Sequence, residues 1–169
     1  MKTYVKSFED LDINELYEIL KLRVDVFVVE QNCPYPEIDG IDKDAFHIFE
    51  IKDGEIGVYA RIYKVDGEVH LGRVIAKERR KGHGSLILNE AIKAACEKYQ
   101  AEKIIIEAQT YAKEFYEKVG FKQRSQTFLM DDIEHIKMVL DLDNKTKARL
   151  ADNVLSEIPS KDGSKETHL

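Results

Sequence analysis

The residues with the clearest chemical potential lie between Leu71 and Tyr99, LGRVIAKERRKGHGSLILNEAIKAACEKY, where an apolar strand-like run passes through a basic loop into a helix. Arg79, Gly82 and Gly84 fit R-x-x-G-x-G at that junction. Glycines let backbone approach a ligand closely, and the first N–H groups of a helix, with its dipole, favour an anion. Arg80 and Lys81 add full positive charge. The junction is a cradle for phosphates. A P-loop would need G-x-x-x-x-G-K-[ST], and a dinucleotide fingerprint would need a glycine where Ile87 stands, so neither applies. Taken alone, the hexapeptide also reads as a surface loop turned by its glycines.

Other groups of catalytic type are scattered along the chain. Tyr116, in FYEKVGF (from Phe115), is a phenol in its acid form at neutral pH, suited to protonating a leaving group. Taken by itself it reads first as a packed aromatic beside Phe115. Glu107, Glu30 and His47 are candidates for a general base, and spacing selects none of them. The segment E-Q-x-C-P-Y holds Glu30, Gln31, Cys33 and Tyr35, followed by Glu37, Asp39, Asp42 and Asp44. By themselves its carboxylates read as a solvated acidic loop held by its prolines. A calcium loop counted from Asp39 fails, because Ile41, Lys43 and Asp44 stand at its third, fifth and sixth positions. Arg23 and Arg73 can bind a carboxylate, although pairing with local acids is the commoner fate of an arginine. The 5 histidines and 2 cysteines form no ligand pair of known spacing, so no metal is expected.

These groups need a scaffold, and 169 residues suffice for a single well-buried domain. A net charge of -6 argues against general nucleic-acid or anionic-membrane binding, which makes the basic loop a local exception. The opening MKTYVKSFEDLD lacks a signal-peptide core and no run is long enough to span a membrane. A cytoplasmic protein with reduced Cys33 and Cys96 is expected. A weak strand over Thr3 to Phe8 precedes a helix from about Ile13 to Val26, started by an Asp12/Glu15 capping box, with Leu16, Ile19, Leu20, Val24 and Phe27 on its apolar face. Val28 to Asp44 reads as an ordered loop. HIFEIK, EIGVYARIYKV and EVHLGRVIA are separated by Asp53-Gly54 and Asp66-Gly67, which predicts an antiparallel meander. The helix after the loop places Leu88, Ala91, Ile92, Ala95, Cys96 and Tyr99 on one face. KIIIEA (from Lys103) is a buried strand, expected to lie parallel to the strand before the loop. A short helix over Ala112 to Val119 ends at Gly120, and strands follow near Lys122 to Thr127 and His135 to Leu142, around a turn at Asp131-Asp132. Residues 1–143 form the domain. Residues 144–169 form a polar extension, helical over Thr146 to Ile158 and disordered from Ser160.

This order of elements, with R-x-x-G-x-G after the fourth strand, resembles the GNAT superfamily of N-acetyltransferases. LRVDVFVVEQNCPYPEIDGID (from Leu22), YARI (from Tyr59), GRVI (from Gly72), EAQ (from Glu107), FYEKVGF and EHIKM (from Glu134) together resemble its ElaA-type members, over Tyr4 to Leu142. The resemblance implies an α/β single-domain GNAT-like fold: a mixed, mostly antiparallel sheet flanked by helices and splayed at the acyl-CoA site. It implies acetyl-CoA as co-substrate and direct attack by an amine, from a small molecule or peptide. The loop Arg79, Arg80, Lys81, Gly82, His83, Gly84 and Ser85 would hold the coenzyme diphosphate. Backbone groups of Val74, Ile75 and Ala76 would pair with the pantetheine arm and polarise the carbonyl. Tyr116 would protonate the departing thiolate, with Glu107 and Glu30 as candidate bases. Arg23, Gln31, Tyr35, His47, Arg73 and His135 would line the acceptor side. A homodimer is left open. The alternative is a non-catalytic acyl-CoA sensor or interaction module of the same fold.

Overall fold

Two Asp-Gly pairs and one Asp-Asp pair shape the sheet. Asp53-Gly54, Asp66-Gly67 and Asp131-Asp132 all adopt positive φ, the condition for a tight hairpin turn whose twist matches the flanking strands. The computed structural model describes residues 2–78 and 81–153. Its elements are β1 (Thr3–Ser7), α1 (Ile13–Val24), β2 (Phe46–Lys52), β3 (Glu55–Val65), β4 (Glu68–Ala76), α2 (His83–Tyr99), β5 (Lys103–Gln109), α3 (Lys113–Glu117), β6 (Lys122–Gln123), β7 (Phe128–Met130), β8 (Ile133–Asp141) and α4 (Asn144–Asn153). The 8-stranded sheet has the order β1-β2-β3-β4-β5-β8-β6, with β7 paired to β8. All neighbours are antiparallel except β4 and β5, which the α2 crossover makes parallel.

Each face of the sheet carries its own core. On one, α2 buries Ile87, Leu88, Ala91, Ile92 and Ala95 against Ile48, Ile62, Val74, Ile104 and Ile106. Cys96 and Tyr99, expected on the same face, are only partly buried at its edge. On the other, α1 and the turn after it bury Ile19, Leu22, Val26 and Phe27 against Phe49, Tyr59 and Ile75. That inward face differs from the expected one. Leu16, Leu20 and Val24 are half-buried, whereas Leu22, Arg23 and Val26 point inward. The capping box forms as expected, Glu15 N–H donating to Asp12 Oδ1 at 2.8 Å and Asp12 N–H to Glu15 Oε1 at 2.9 Å. The α-helix then stops at Val24, and Asp25–Glu30 winds on as a π turn. One extra residue in that turn shifts the phase and brings both Val26 and Phe27 inward.

The last strands are more broken than the sequence suggests. β6 ends at Gln123, because Ser125 Oγ takes the Lys137 N–H at 2.9 Å in place of a ladder carbonyl, and β7 forms a separate hairpin with β8. α3 is short, continuing a 3-10 turn over Thr110–Ala112. Gly120 follows at φ 114°. α4 docks through Leu150 on the α2 core and through Arg149, which donates to the Val119 carbonyl. The extension beyond Asn153 lies outside the described residues.

Candidate functional site

The site begins with a fault in β4. Tyr59 pairs with Ile75 and Arg61 with Gly72, so Ala60 faces both Arg73 and Val74. This bulge puts Arg73 at φ 55°, a left-handed conformation costing a non-glycine residue about 1–2 kcal/mol. The side chain supplies the compensation. Arg73 Nε donates to both Glu37 oxygens, at 2.7 and 2.9 Å, and its guanidinium lies over the rings of Phe27 and Tyr35 at 5.6 and 5.9 Å. A bulge sharpens twist, and here β4 turns away from β5. The strands pair only at Val69–Ile104 and His70–Ile105, and beyond that point they part.

Backbone direction in the gap follows from alternation. Lys77 N–H donates to the Gly57 carbonyl on β3 at 2.8 Å. Two residues back, Ile75 also faces β3, which leaves Val74 and Ala76 presenting N–H and C=O to the gap. Of the backbone groups expected to hold a ligand, those of Val74 and Ala76 face the gap. Those of Ile75 are turned to the β3 ladder.

Beside the gap, on the α1 face, opens a cavity of about 290 Å³. Phe27, Gln31, Tyr35, Tyr63, His70, Arg73, Glu107, Gln109, Tyr116, Asp131 and His135 are among its walls. The sheet register explains much of this lining. Tyr63 faces His70 across the β3–β4 hairpin, and Gln109 faces His135 across β5–β8. With Glu107 two residues from Gln109, they form one polar strip across the strands. The roof is the loop after the π turn. It is tied to the β7–β8 turn by Cys33, whose thiol donates to the Asp131 carbonyl at 3.5 Å.

Under the roof lies a buried charge network. Arg23, fully buried, donates to Asp42 at 2.6 Å and to Glu37 Oε2 at 3.3 Å. Arg61 donates to the same Asp42 oxygen at 2.9 Å and to Asp39 at 2.6 and 3.1 Å. Burial works to raise the Asp39 carboxyl, but the hydrogen bonds and charge of Arg61 outweigh it and hold it at about 2. Burial likewise opposes, and Arg23 and Arg61 overcome, so Asp42 also sits below the ordinary carboxyl range. Burial drives the His47 imidazole down, keeping it neutral. His47 is bonded to Tyr59 Oη at 2.7 Å and to the Asp42 carbonyl at 2.9 Å. Burial pushes the phenols of Tyr35, Tyr63 and Tyr116 up, so all three are proton-bearing at neutral pH.

The geometry matches what comparison with known proteins finds. A family model for the acetyltransferase (GNAT) domain matches residues 17–142. The chain belongs to the GNAT acetyltransferase family. A UPF0039 protein of Schizosaccharomyces pombe is 38% identical over 142 residues, covering 81% of this chain and 95% of the relative. The Escherichia coli protein ElaA is 35% identical over 140 residues, 79% of this chain and 92% of ElaA. The crystal structure of ElaA superposes with a TM-score of 0.80 at 34% identity, over 83% of this chain and all of that one. An acyl-CoA N-acyltransferase from Pseudomonas aeruginosa superposes with a TM-score of 0.78 at 35% identity, over 82% and 99%. The ElaA-type resemblance and the GNAT fold class both hold.

Among the residues singled out from sequence for a GNAT site, Gln31, Tyr35, Arg73, Glu107, Tyr116 and His135 are gathered on the cavity wall. Arg23 and His47 are not on it. They are fully buried beneath, as supports of the loop that carries Glu37, Asp39 and Asp42. Glu30 closes the π turn, away from the lining. Lys81, Gly82, His83, Gly84 and Ser85 form the entrance to α2, with Gly82 at φ 73° as its cap; Arg79 and Arg80 lie outside the described residues. Tyr63, His70 and Gln109 were not singled out from sequence. The signal was present for two of them, since counting back from the Asp66-Gly67 turn pairs Tyr63 with His70.

Proposed function

We propose that this chain is an acetyl-CoA-dependent N-acetyltransferase acting on a small-molecule or peptide amine. The observation that carries the reading is the parting of β4 from β5, which among the described residues leaves the backbone groups of Val74 and Ala76 without a β5 partner beside a polar cavity. A pantetheine arm offers amides of the right kind to complete that edge as an added strand. The gap leads towards α2, where the Gly82 cap carries no side-chain hydrogen bond and the first turn holds no acid. The N–H groups of His83, Gly84 and Ser85, with Lys81 beside them, therefore suit a diphosphate, and Arg79 and Arg80 join this assignment by their place in the loop.

Bound acetyl-CoA supplies an acetyl group activated as a thioester. The N–H groups on the gap-facing edge of β4 polarise the carbonyl, and Tyr116 gives a proton to the leaving sulfur. Tyr116 suits that task because burial keeps its phenol protonated while its side chain reaches the cavity wall. It is held between Phe115 and Phe121, at 5.2 and 5.6 Å ring to ring. Glu107, on the wall, is the carboxylate assigned to receiving the acceptor, whereas Glu30 stands away from the lining.

The test is thermal denaturation with acetyl-CoA, followed by thiol release against a panel of amines. Stabilisation and amine-dependent thiol release are expected. Stabilisation with no turnover on any amine would favour a sensor, and no stabilisation would overturn coenzyme binding itself.

A further inference from the structure

The polar strip contains a histidine whose tautomer is fixed by its own strand. His135 Nδ1 lies 2.7 Å from the Ile133 carbonyl. A carbonyl only accepts, so Nδ1 carries the proton, and in the neutral ring Nε2 is bare. The ring is stacked on Phe128, at 6.1 Å and 24° between planes, which sets its orientation. Nε2 has no partner among the described residues, and the ring is part of the cavity wall. Across the β5–β8 register stands Gln109, which is 9% exposed and lines the same cavity with its carboxamide unpartnered among the described residues. Its amide opens into the cavity, where a ligand can bond to it. Glu107, next on that face, likewise makes no side-chain hydrogen bond or ion pair among the described residues.

These three groups differ from the other charged residues of the loop and roof. Glu37, Asp39 and Arg73 are consumed in the ion-pair network. A fixed acceptor lone pair, an amide and the Glu107 carboxylate are left for the substrate along the strands, and Asp131 lines the cavity at the β7–β8 turn. Together they suit a group that arrives as a cation and must lose a proton. Resting on the acyl-transfer reading above, we infer that the acceptor is a primary alkylammonium, held by Glu107 and Gln109, and that His135 Nε2 is the general base that makes it a nucleophile.

The protons balance. The ammonium gives one proton to Nε2, and His135 becomes an imidazolium with Nδ1–H still bonded to Ile133. The C–N bond forms as the C–S bond breaks. The proton given to sulfur by Tyr116 is replaced by a second one from the acylated nitrogen, and the imidazolium returns its proton to water. One proton is released per amide formed.

The experiment uses His135→Asn, because the Asn amide reproduces the Nδ1–H donor and deletes only Nε2. Two acceptors of the same shape are compared, a primary alkylamine and the corresponding O-alkylhydroxylamine, which is already neutral at the assay pH. A general base is worth about 10²–10⁴-fold. His135→Asn should therefore lose at least about 100-fold in kcat on the alkylamine and less than about tenfold on the neutral analogue. His135→Ala should regain alkylamine activity on addition of free imidazole. Equal losses on both acceptors, or selective loss in Glu107→Gln instead, would overturn the assignment to His135. Activity of either variant on the neutral analogue shows that it folds. Should neither variant turn over the neutral analogue or respond to imidazole, His135 is a structural residue and the inference fails. Failure of the wild-type protein on every amine sinks the acyl-transfer reading, and this inference with it; turnover of amines with an unaffected His135→Asn sinks this inference alone.

Discussion

Asp42→Ala is the sharpest perturbation of the scaffold, because one carboxylate oxygen serves two buried guanidiniums. Asp42 Oδ1 accepts from Arg23 Nη1 at 2.6 Å and from Arg61 Nη1 at 2.9 Å, and the two arginines are 0% and 1% exposed. Without it, Arg23 keeps the Glu37 carboxylate at 3.3 Å and the Glu37 carbonyl at 3.1 Å, while Arg61 keeps Asp39. Two charge-assisted hydrogen bonds at about 1.5–3 kcal/mol each give a loss of about 3–6 kcal/mol. Breaking a buried ion pair independently suggests about 3–5 kcal/mol. In a domain of this size each kcal/mol moves Tm by about 2–4 °C, so Asp42→Ala should melt roughly 6–24 °C below wild type. Asp42→Asn keeps an acceptor oxygen while removing the charge, and should fall between the two. Urea denaturation and thermal melts followed by circular dichroism measure both. A loss below about 1 kcal/mol in Asp42→Ala would refute the reasoning, since it would mean that water hydrates these guanidiniums in place.

Three further outcomes are expected. Folded Asp39 refuses a proton down to about 2 whereas the unfolded carboxyl takes one near 3.8, so its stabilisation is present above pH 3.8 and drains as pH falls to about 2. Asp42 is lowered in the same sense, and the neutral buried His47 adds an earlier slope below pH 6.5; denaturation midpoints across pH should be flatter at the acid end in Asp39→Asn. Tyr116→Phe should lower kcat while leaving acetyl-CoA stabilisation nearly intact, and unchanged turnover with a good acceptor would remove Tyr116 from the reaction. Gly120→Ala should destabilise by about 1–3 kcal/mol, since its φ is 114° and a Cβ would meet Arg149 Nη2 at 2.9 Å and Leu140 Cδ1 at 3.2 Å; an unchanged melt would show that α4 yields freely.

Local chemistry in the sequence determined the elements and much of the cavity wall. Asp-Gly turns set the register of β2, β3 and β4, the capping box started α1, and the Gly82 and Gly120 positions marked where helices begin and end. Such features act within a few residues, so they are readable without a partner strand. Tyr116, Glu107 and His135 could be singled out because they sit in compact motifs. What they face could not, because that depends on which strands lie side by side and where they part. Arg73 illustrates the limit. Nothing in an arginine announces a left-handed bulge, which persists only because Glu37, Phe27 and Tyr35, remote in the chain, hold the side chain. Likewise Arg23 and His47 read as substrate ligands until packing buries them beneath the loop, whereas Gln109 gains meaning only from its place opposite His135. Register across distant strands and burial under a loop are properties of the whole chain, and only the tertiary structure decides them.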